Sequence, residues 1–216
     1  MPTFQTIHDR LYAAFGPQHW WPADTPFEVA VGAVLTQNTA WTNVERAIAN
    51  LKAAGNLDAA TLHAMEPADL AELIRPAGYF NVKARRLQAL CAFLLEQSDG
   101  RVEGLGHRET ADLREALLGI KGVGEETADS ILLYALERPV FVVDAYTRRI
   151  FERVGLLQPD LNYGTIQAAF EAALARDRSL FNEYHALIVA LGKDYCKPKP
   201  RCPVCPIRDL CLSAAT

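Results

Sequence analysis

Apolar residues recur at the three- and four-residue spacing of amphipathic helices along most of the chain. Nine segments carry this pattern: 26–37, 42–55, 67–75, 82–97, 108–118, 125–137, 145–155, 164–175 and 181–192. Thr42 and Glu45 predict a capping box, and Gly55 and Gly155 are expected to end helices. The segment 139–145, PVFVVDA, is β-like but too short and isolated to build a sheet. The sequence therefore predicts an all-α protein with about nine or ten helices.

Length and composition limit the classes of protein to which the chain can belong. The chain has 216 residues, half of them apolar, enough for one large domain or two smaller interleaved ones. No apolar run approaches the roughly 18 residues of a membrane span, and the N-terminus lacks a signal-peptide pattern. We therefore expect a soluble protein, intracellular and cytoplasmic. The net charge of −4 argues against nonspecific coating of nucleic acid, although positive charge clusters at 83–86, 148–153 and 197–201.

The cysteines fall into two groups. Cys91 lies alone in an apolar stretch and is expected to be a small buried hydrophobe. The other four, Cys196, Cys202, Cys205 and Cys211, lie near the C-terminus with the spacing C-x5-C-x2-C-x5-C. Without a signal peptide, this cluster indicates metal ligation rather than disulfides. A single C-x2-C knuckle favours an iron–sulfur cluster over a zinc ribbon, while a zinc site or a degenerate site remains an alternative.

The segment LLGIKGVGEETA joins two predicted helices through a Gly-Val-Gly turn. Glycine permits positive φ and close backbone approach, and the second helix would offer unpaired N–H groups at its start. This combination suits a phosphate group, which backbone donors bind without reading sequence. The candidate DNA contacts at the hairpin are Lys121, Gly122, Val123, Gly124 and Thr127. A tight corner between helices with no ligand is the alternative.

Asp144 follows the hairpin at the end of the apolar segment and stands just before two arginines in VVDAYTRR. A carboxylate delivered to the start of a new helix by a buried segment is well placed for chemistry. From the local sequence alone, an N-cap for the helix at 145–155 is the simpler interpretation.

Taken together, these motifs resemble a known family. LLGIKGVGEETADSILLYALERPVFVVDAYTRRIF resembles the helix-hairpin-helix and Gly/Pro-Asp motif of the endonuclease III superfamily of DNA glycosylases. GAVLTQNTAWTNV is similar to the family's Q-x-T loop, GYFNVKARRL to its wedge loop, and the four terminal cysteines to its iron–sulfur loop.

The resemblance implies a two-domain helix-hairpin-helix glycosylase fold. A six-helix barrel would span 24–138, with the hairpin motif at about 113–137, and the second domain would combine 1–23 with 139–216. It further implies double-stranded DNA with a damaged base as the partner, bound across the cleft, a monomer, and a [4Fe–4S] cluster as cofactor. Its ligands would be Cys196, Cys202, Cys205 and Cys211, although the first cysteine gap is one residue shorter than is usual in the family.

One departure from the family bears on the reaction. Members with lyase activity carry a lysine two residues after the Gly-Val-Gly turn, where this chain has Glu126. A lysine there attacks the sugar C1′ and forms a Schiff base, which a glutamate cannot do. Lys121 precedes the turn and is not expected to substitute. The chain is therefore most similar to the monofunctional branch, and within it to the endonuclease III-related 3-methyladenine DNA glycosylases.

Breaking an N-glycosidic bond builds positive charge on the sugar, so we expect the ionised Asp144 to stabilise that charge and to orient water. An N-alkylated purine is already cationic and leaves without a general acid. The candidate pocket residues are Trp20, Trp21, Pro22 and Trp41, whose aromatic faces would stack on a flipped cationic base. The alternative places these tryptophans in the core.

By resemblance, Gln37 would fill the hole left by the flipped base, and Tyr79 would wedge into the opposite strand. Gln37 could instead be an ordinary amide at a helix end, and Tyr79 a surface aromatic. His185 lies on an apolar helical face and is expected to be a hydrogen-bonded core histidine rather than a catalyst.

The leading hypothesis is a monofunctional glycosylase for alkylated purines such as 3-methyladenine. An oxidised-pyrimidine glycosylase resembling endonuclease III is one alternative, which Glu126 disfavours. A DNA-binding protein that recognises damage without cleaving a bond is the other, which Asp144 disfavours.

Overall fold

The computed structural model describes residues 2–55 and 57–214, and within these ranges every regular element is helical. The α-helices are α1 (Phe4–Phe15), α2 (Pro26–Leu35), α3 (Trp41–Ala53), α4 (Ala59–Ala64), α5 (Pro67–Leu73), α6 (Phe80–Ser98), α7 (Thr110–Leu118), α8 (Glu125–Ser130), α9 (Ala145–Val154), α10 (Tyr163–Ala173) and α11 (Arg178–Asp194). A π-helical turn, Ile131–Ala135, continues α8. The all-α prediction is confirmed.

The chain folds as two compact units. One contains the described residues up to Pro22 together with those from Pro139 onward, and the other contains Ala23–Arg138. None of the helices in the described part of the chain is long and apolar enough to cross a lipid bilayer.

The unit formed by Ala23–Arg138 is built around α2. All residues from Phe27 to Leu35 are buried, and α3, α6, α8 and the π-helical turn pack around this helix. Apart from Glu28, which pairs with Lys52 at 2.8 Å, α2 is apolar on every side. Such a helix has to be enclosed by its neighbours, which explains its central place. Thr25 caps its N-terminus and Pro26 occupies its first turn. The C-terminus of α2 leads directly into the Gln37 loop.

The other unit is organised around the buried segment Val140–Val143, which is extended without joining a sheet. Side chains satisfy its backbone instead. The N–H of Phe141 donates to Glu171 Oε1 at 3.0 Å, and Gln167 Nε2 donates to the Phe141 carbonyl at 2.7 Å. The N–H of Val143 donates to the Tyr163 hydroxyl at 3.2 Å. This apolar segment delivers Asp144 to the start of α9.

An aromatic cluster holds the distant parts of this unit together. Phe141 stacks on Phe170 with ring centroids 4.0 Å apart, and Phe151 meets Phe170 edge-on at 4.7 Å. The Tyr184 hydroxyl donates to the carbonyl of Phe4 at 2.6 Å, which fastens α1 to α11. Aromatic pairs of this kind stabilise the fold by more than the burial of their apolar surface alone provides.

Several local predictions need correction. The helical pattern missed α1 and α4. Thr42 is not an N-cap, because α3 begins one residue earlier at Trp41 and its N-cap is Ala40. Gly55 lies one residue beyond the C-cap of α3, whereas Gly155 caps α9 in the left-handed conformation as predicted. Cys91 is fully buried, as expected, and burial raises the pKa of its thiol to about 12.

Candidate functional site

The Gly-Val-Gly turn connects α7 and α8 and presents a polar, exposed edge. Val123 is buried and anchors the turn, while Lys121, Gly122 and Gly124 are exposed. No side chain caps the first turn of α8, whose N-cap is Gly124. The N–H groups at this helix start therefore have no side-chain cap to compete with a ligand.

The two glycine positions of the turn differ in whether the fold requires glycine there. Gly122 has φ +93°, and a Cβ there would overlap with the side chain of Arg86. Gly124 has an extended backbone, and a Cβ there would meet nothing within 4 Å. The fold itself requires glycine only at Gly122. At Gly124 the open space lies on the exposed edge of the turn.

A bidentate ion pair fixes the angle between the two hairpin helices. Arg114 of α7 donates through Nε to Asp129 Oδ1 at 2.7 Å and through Nη2 to Asp129 Oδ2 at 3.0 Å. Asp129 lies in α8 and is fully buried. Because a fork-to-fork pair restricts both distance and orientation, the turn is held as a preformed surface.

Gln37 is attached to the hairpin. Its Nε2 donates to the Gly122 carbonyl at 3.1 Å and to Thr127 Oγ1 at 2.9 Å, and Arg86 donates to its Oε1. The fold thus brings together Gln37 and two of the predicted hairpin residues, which are far apart in sequence. Arg86 was missed by sequence reasoning, because the spacing of residues in α6 does not reveal which loop its side chain reaches.

Tyr79 lies apart from that cluster, on the turn before α6. Its side chain is 71% exposed, and its backbone adopts the left-handed conformation with φ +46°. The preceding Gly78 also has positive φ, at +69°. An exposed aromatic ring on a tight, conformationally restricted turn forms a projecting edge.

The three predicted pocket tryptophans are partly exposed. Trp20 and Trp21 belong to the unit that contains Asp144, and their rings lie 5.1 Å apart at 49°. Pro22, next to them, is exposed. Trp41 is the first residue of α3 in the other unit. All three tryptophans are thus intermediate in exposure, and their role in a base pocket stays a prediction.

Asp144 is the N-cap of α9 and keeps one carboxylate oxygen away from the cap. Its Oδ1 accepts from the Thr147 N–H at 2.7 Å and from the Thr147 hydroxyl at 2.8 Å. Its Oδ2 lies 3.7 Å from Nε2 of His185, and the Asp144 side chain is 11% exposed. The N-cap interpretation is confirmed, and capping leaves the second oxygen for another task.

The surroundings of Asp144 favour its charged form. Burial raises the pKa of this carboxyl, but the imidazole of His185 and the two donors from Thr147 outweigh burial, so the pKa lies below the ordinary aspartate value. The 3.7 Å distance between Nε2 and Oδ2 places the imidazole of His185 directly beside the free oxygen of this carboxylate. His185 is buried as predicted, but sequence reasoning missed its place beside Asp144.

The four C-terminal cysteines line one cavity of about 80 Å³, together with apolar side chains including Ile150 and Leu191. Within residues 2–55 and 57–214, no three Cys, His, Asp or Glu side chains are grouped closely enough to hold a single metal ion. Burial raises the pKa of the Cys205 and Cys211 thiols, and the neighbouring cysteines add to the effect.

Two arginines of α9 organise the start of this cysteine loop. Arg149 Nε donates to the Cys196 carbonyl at 2.7 Å. Arg153 donates to the Lys197 carbonyl at 2.7 Å and to Cys196 Sγ at 3.3 Å. This part of the basic cluster at 148–153 therefore serves the loop, whereas Lys197, Lys199 and Arg201 are exposed.

Comparisons with known proteins place the chain in a family. Residues 31–176 match the HhH-GPD superfamily of base excision DNA repair proteins. A candidate DNA repair glycosylase of Methanocaldococcus jannaschii is 49% identical over 209 residues, which cover 96% of this chain and 94% of that relative.

Two solved structures are similar in fold. The 3-methyladenine DNA glycosylase of Helicobacter pylori, bound to 1,N6-ethenoadenine, has a TM-score of 0.79 and 31% identity, covering 89% of this chain and 98% of that one. Endonuclease III in a trapped covalent complex with DNA has a TM-score of 0.85 and 25% identity, covering 100% and 98%. The chain therefore belongs to the HhH-GPD superfamily of base excision repair DNA glycosylases.

Proposed function

We propose that this glycosylase is monofunctional and hydrolyses the N-glycosidic bond of alkylated purines of the 3-methyladenine type in double-stranded DNA. The observation that carries the proposal is the state of Asp144, a carboxylate held in its ionised form with Oδ2 outside the helix cap. A fixed negative charge is what a reaction with a cationic sugar transition state requires.

In the proposed reaction, the carboxylate of Asp144 stabilises the positive charge that develops at C1′ as the base departs. Oδ2 orients a water molecule for attack and accepts its proton. Oδ1 stays bonded to Thr147, so the carboxylate does not rotate away during the reaction. The base leaves with its electron pair, and an intact abasic strand is the product.

Neither position 126 nor Lys83 provides an accessible amine nucleophile for a lyase. Glu126 occupies the position where the resemblance implies a lysine, in the exposed first turn of α8. The pKa of Lys83 is lowered to about 8, within the range of amine nucleophiles, but the residue is 1% exposed and its ammonium is bonded to two carbonyls. These observations support water as the nucleophile.

The proposed substrate class rests on charge and on aromatic surface. An alkylated purine is cationic, and the partly exposed rings of Trp20, Trp21 and Trp41 offer faces that attract a cation by about 0.5–2 kcal/mol each. The similarity to the Helicobacter pylori 3-methyladenine glycosylase, whose bound ligand is itself a modified adenine, points the same way.

The proposed DNA contacts are the exposed hairpin edge, Gln37 and Tyr79. Backbone N–H groups at Gly122 and Gly124 would bind a phosphate together with Lys121. Tyr79 projects far enough to enter a stack, and Gln37 would exchange its bonds with the hairpin for contacts inside the duplex.

We further propose a [4Fe–4S] cluster at Cys196, Cys202, Cys205 and Cys211. The four thiols share one cavity with an apolar wall, and Arg153 donates to Cys196 Sγ, which suits a thiolate ligand. When bound, the cluster would hold the loop in shape, since glycosidic hydrolysis transfers no electrons. The loop would then present Lys197, Lys199 and Arg201 to phosphates.

The two glycines of the hairpin should separate stability from DNA binding. Gly122→Ala is expected to lower the free energy of unfolding by more than about 1 kcal/mol, because alanine is strained at φ +93° and meets Arg86. Gly124→Ser should keep or raise stability, since serine is a good N-cap, but it should weaken DNA binding by covering the N–H groups. Thermal melts and abasic-DNA titrations measure the two effects. Equal affinity of Gly124→Ser and wild type would remove this edge from the interface.

His185 is expected to set the acid limb of the rate–pH profile. Because its imidazole helps to keep the pKa of Asp144 low, His185→Gln should let that pKa rise, so activity should be lost at a higher pH on acidification. Single-turnover base release from about pH 4 to pH 8 measures the shift. His63→Gln, at an exposed site on α4, is the control. An unshifted profile would exclude His185 from tuning Asp144.

The substrate class is tested with two duplexes, one methylated at purine nitrogens and one carrying an oxidised pyrimidine. We expect release of the methylated purine alone. Release of only the oxidised pyrimidine would assign the protein the specificity of endonuclease III instead. Tight binding of damaged DNA with release of neither base would indicate a damage-binding protein without catalysis.

A further inference from the structure

Lys83 carries a buried ammonium that is bonded to two backbone carbonyls. It is the fourth residue of α6, at the end of the first turn, and the residue is 1% exposed. Its Nζ donates to the Leu35 carbonyl at 2.8 Å and to the Ala77 carbonyl at 2.8 Å. A lysine this buried is rare, because desolvating its charge is costly. The low pKa of about 8 reflects that cost and the nearby charge of Arg86.

The two carbonyls lie where two helices end. Leu35 is the last residue of α2, and Ala77 is the last residue of the short 3₁₀ helix Arg75–Ala77. Carbonyls at helix ends lack partners within the helix and carry the negative end of its dipole, so one ammonium satisfies both. Lys83 therefore connects the C-terminal ends of two separate helices within the same unit.

From each of these helix ends the chain continues to one of the two side chains proposed to enter the DNA duplex, which we call the probes. Gln37 follows Leu35 by two residues, and Tyr79 follows Ala77 by two residues. Both short connections contain restricted backbone, with φ +54° at Asn38 and φ +46° at Tyr79. Such conformations persist only where the surroundings fix them. The two Lys83 bonds lie at the base of both loops.

We propose that Lys83 is a positioning residue that sets the distance between the Gln37 and Tyr79 loops, so that both enter the duplex at the same base step. This inference rests on the proposed function, in which these two side chains open the helix around a damaged base. Opening needs both probes in register, and a displacement of about 1 Å can cost about a hundredfold in rate. Arg86, one turn further along α6, holds the Gln37 side chain from the same helix.

The test measures opening of the duplex without chemistry. A duplex with a tetrahydrofuran abasic analogue carries 2-aminopurine opposite it, and insertion of the probes unstacks this base and raises its fluorescence. Lys83→Met removes the charge and both donors while keeping most of the side-chain volume. At saturating protein, we expect Lys83→Met to bind but to give a much smaller rise than wild type, with base release from duplex reduced at least about tenfold.

Single-stranded methylated DNA provides the second readout, because it needs no opening. Lys83→Met should release base from it at close to the wild-type rate, whereas general destabilisation would lower both rates alike. Leu90→Ala, at another buried position of α6, controls for lost stability and should keep the fluorescence rise. If Lys83→Met does not fold, Lys83→Arg takes its place, since it keeps charge and donors but alters their reach.

The outcomes separate the two proposals. A wild-type protein that neither binds the abasic duplex nor raises the fluorescence would contradict the proposed function. The positioning role alone would be overturned if the Lys83 variant that folds raised the fluorescence as much as the wild type. It would also be overturned if that variant lost base release equally on duplex and single-stranded DNA. A selective loss on duplex supports it.

Discussion

Asp144→Asn is expected to reduce the rate of base release by at least about 100-fold while leaving the affinity for damaged DNA nearly unchanged. The variant removes the negative charge that the transition state needs but keeps a side chain of the same shape. Asparagine is also a good N-cap, so α9 should retain its start through Thr147. Single-turnover base release and a binding titration measure the two quantities on one preparation.

The matched control is Asp177→Asn in the same unit. Asp177 caps α11, and its Oδ1 accepts from the Leu180 N–H at 2.7 Å, so this change removes a capping charge of the same kind. It should leave base release at the wild-type rate. Wild-type activity in Asp144→Asn would exclude Asp144 from the reaction, and equal losses in both variants would assign the effect to capping.

Wild-type protein treated with borohydride in the presence of abasic DNA should give no covalent adduct, whereas Glu126→Lys should give one. A lysine in the first turn of α8 would stand where the family resemblance implies a nucleophilic amine, and an amine attacks the C1′ aldehyde to form a reducible Schiff base. A denaturing gel that separates free from cross-linked protein measures the difference, which is close to all or none.

Glu125→Lys is the control for added positive charge. It changes the neighbouring exposed acid by the same two charge units, but about 100° further around the helix, so its amine should not reach the same point. A robust adduct in the wild type would show that another amine, such as Lys121, supplies the nucleophile. An adduct of equal yield in both variants would show that the position of Glu126 is not special.

Motifs with a local physical cause could be predicted well from the sequence. The left-handed cap at Gly155 and the positive φ at Gly122 follow from glycine's freedom, and the cap at Asp144 follows from its place before α9. The β-like segment at 139–145 was correctly excluded from a sheet. Its side-chain partners, Glu171 and Gln167, lie in α10 and could not be inferred from periodicity.

Contacts across long sequence separations could not be predicted. His185 lies on an apolar helical face, which indicates burial but not its approach to Asp144. The burial of Lys83 could not be predicted either, since a lysine inside a basic cluster indicates a solvated surface. The fold instead buries it between two carbonyl groups. The prediction for Thr42 failed for a different reason, because the N-cap of α3 is Ala40, two residues before Thr42.

Water, positioned by Asp144, is proposed to release the base without cutting the strand. The decisive experiment follows base release and strand cleavage in one reaction on a duplex methylated at purine nitrogens, with samples taken before any alkaline treatment. We expect free 3-methyladenine to accumulate beside an uncut abasic strand that alkali then cleaves. Strand cleavage that keeps pace with base release in the untreated samples would contradict this proposal.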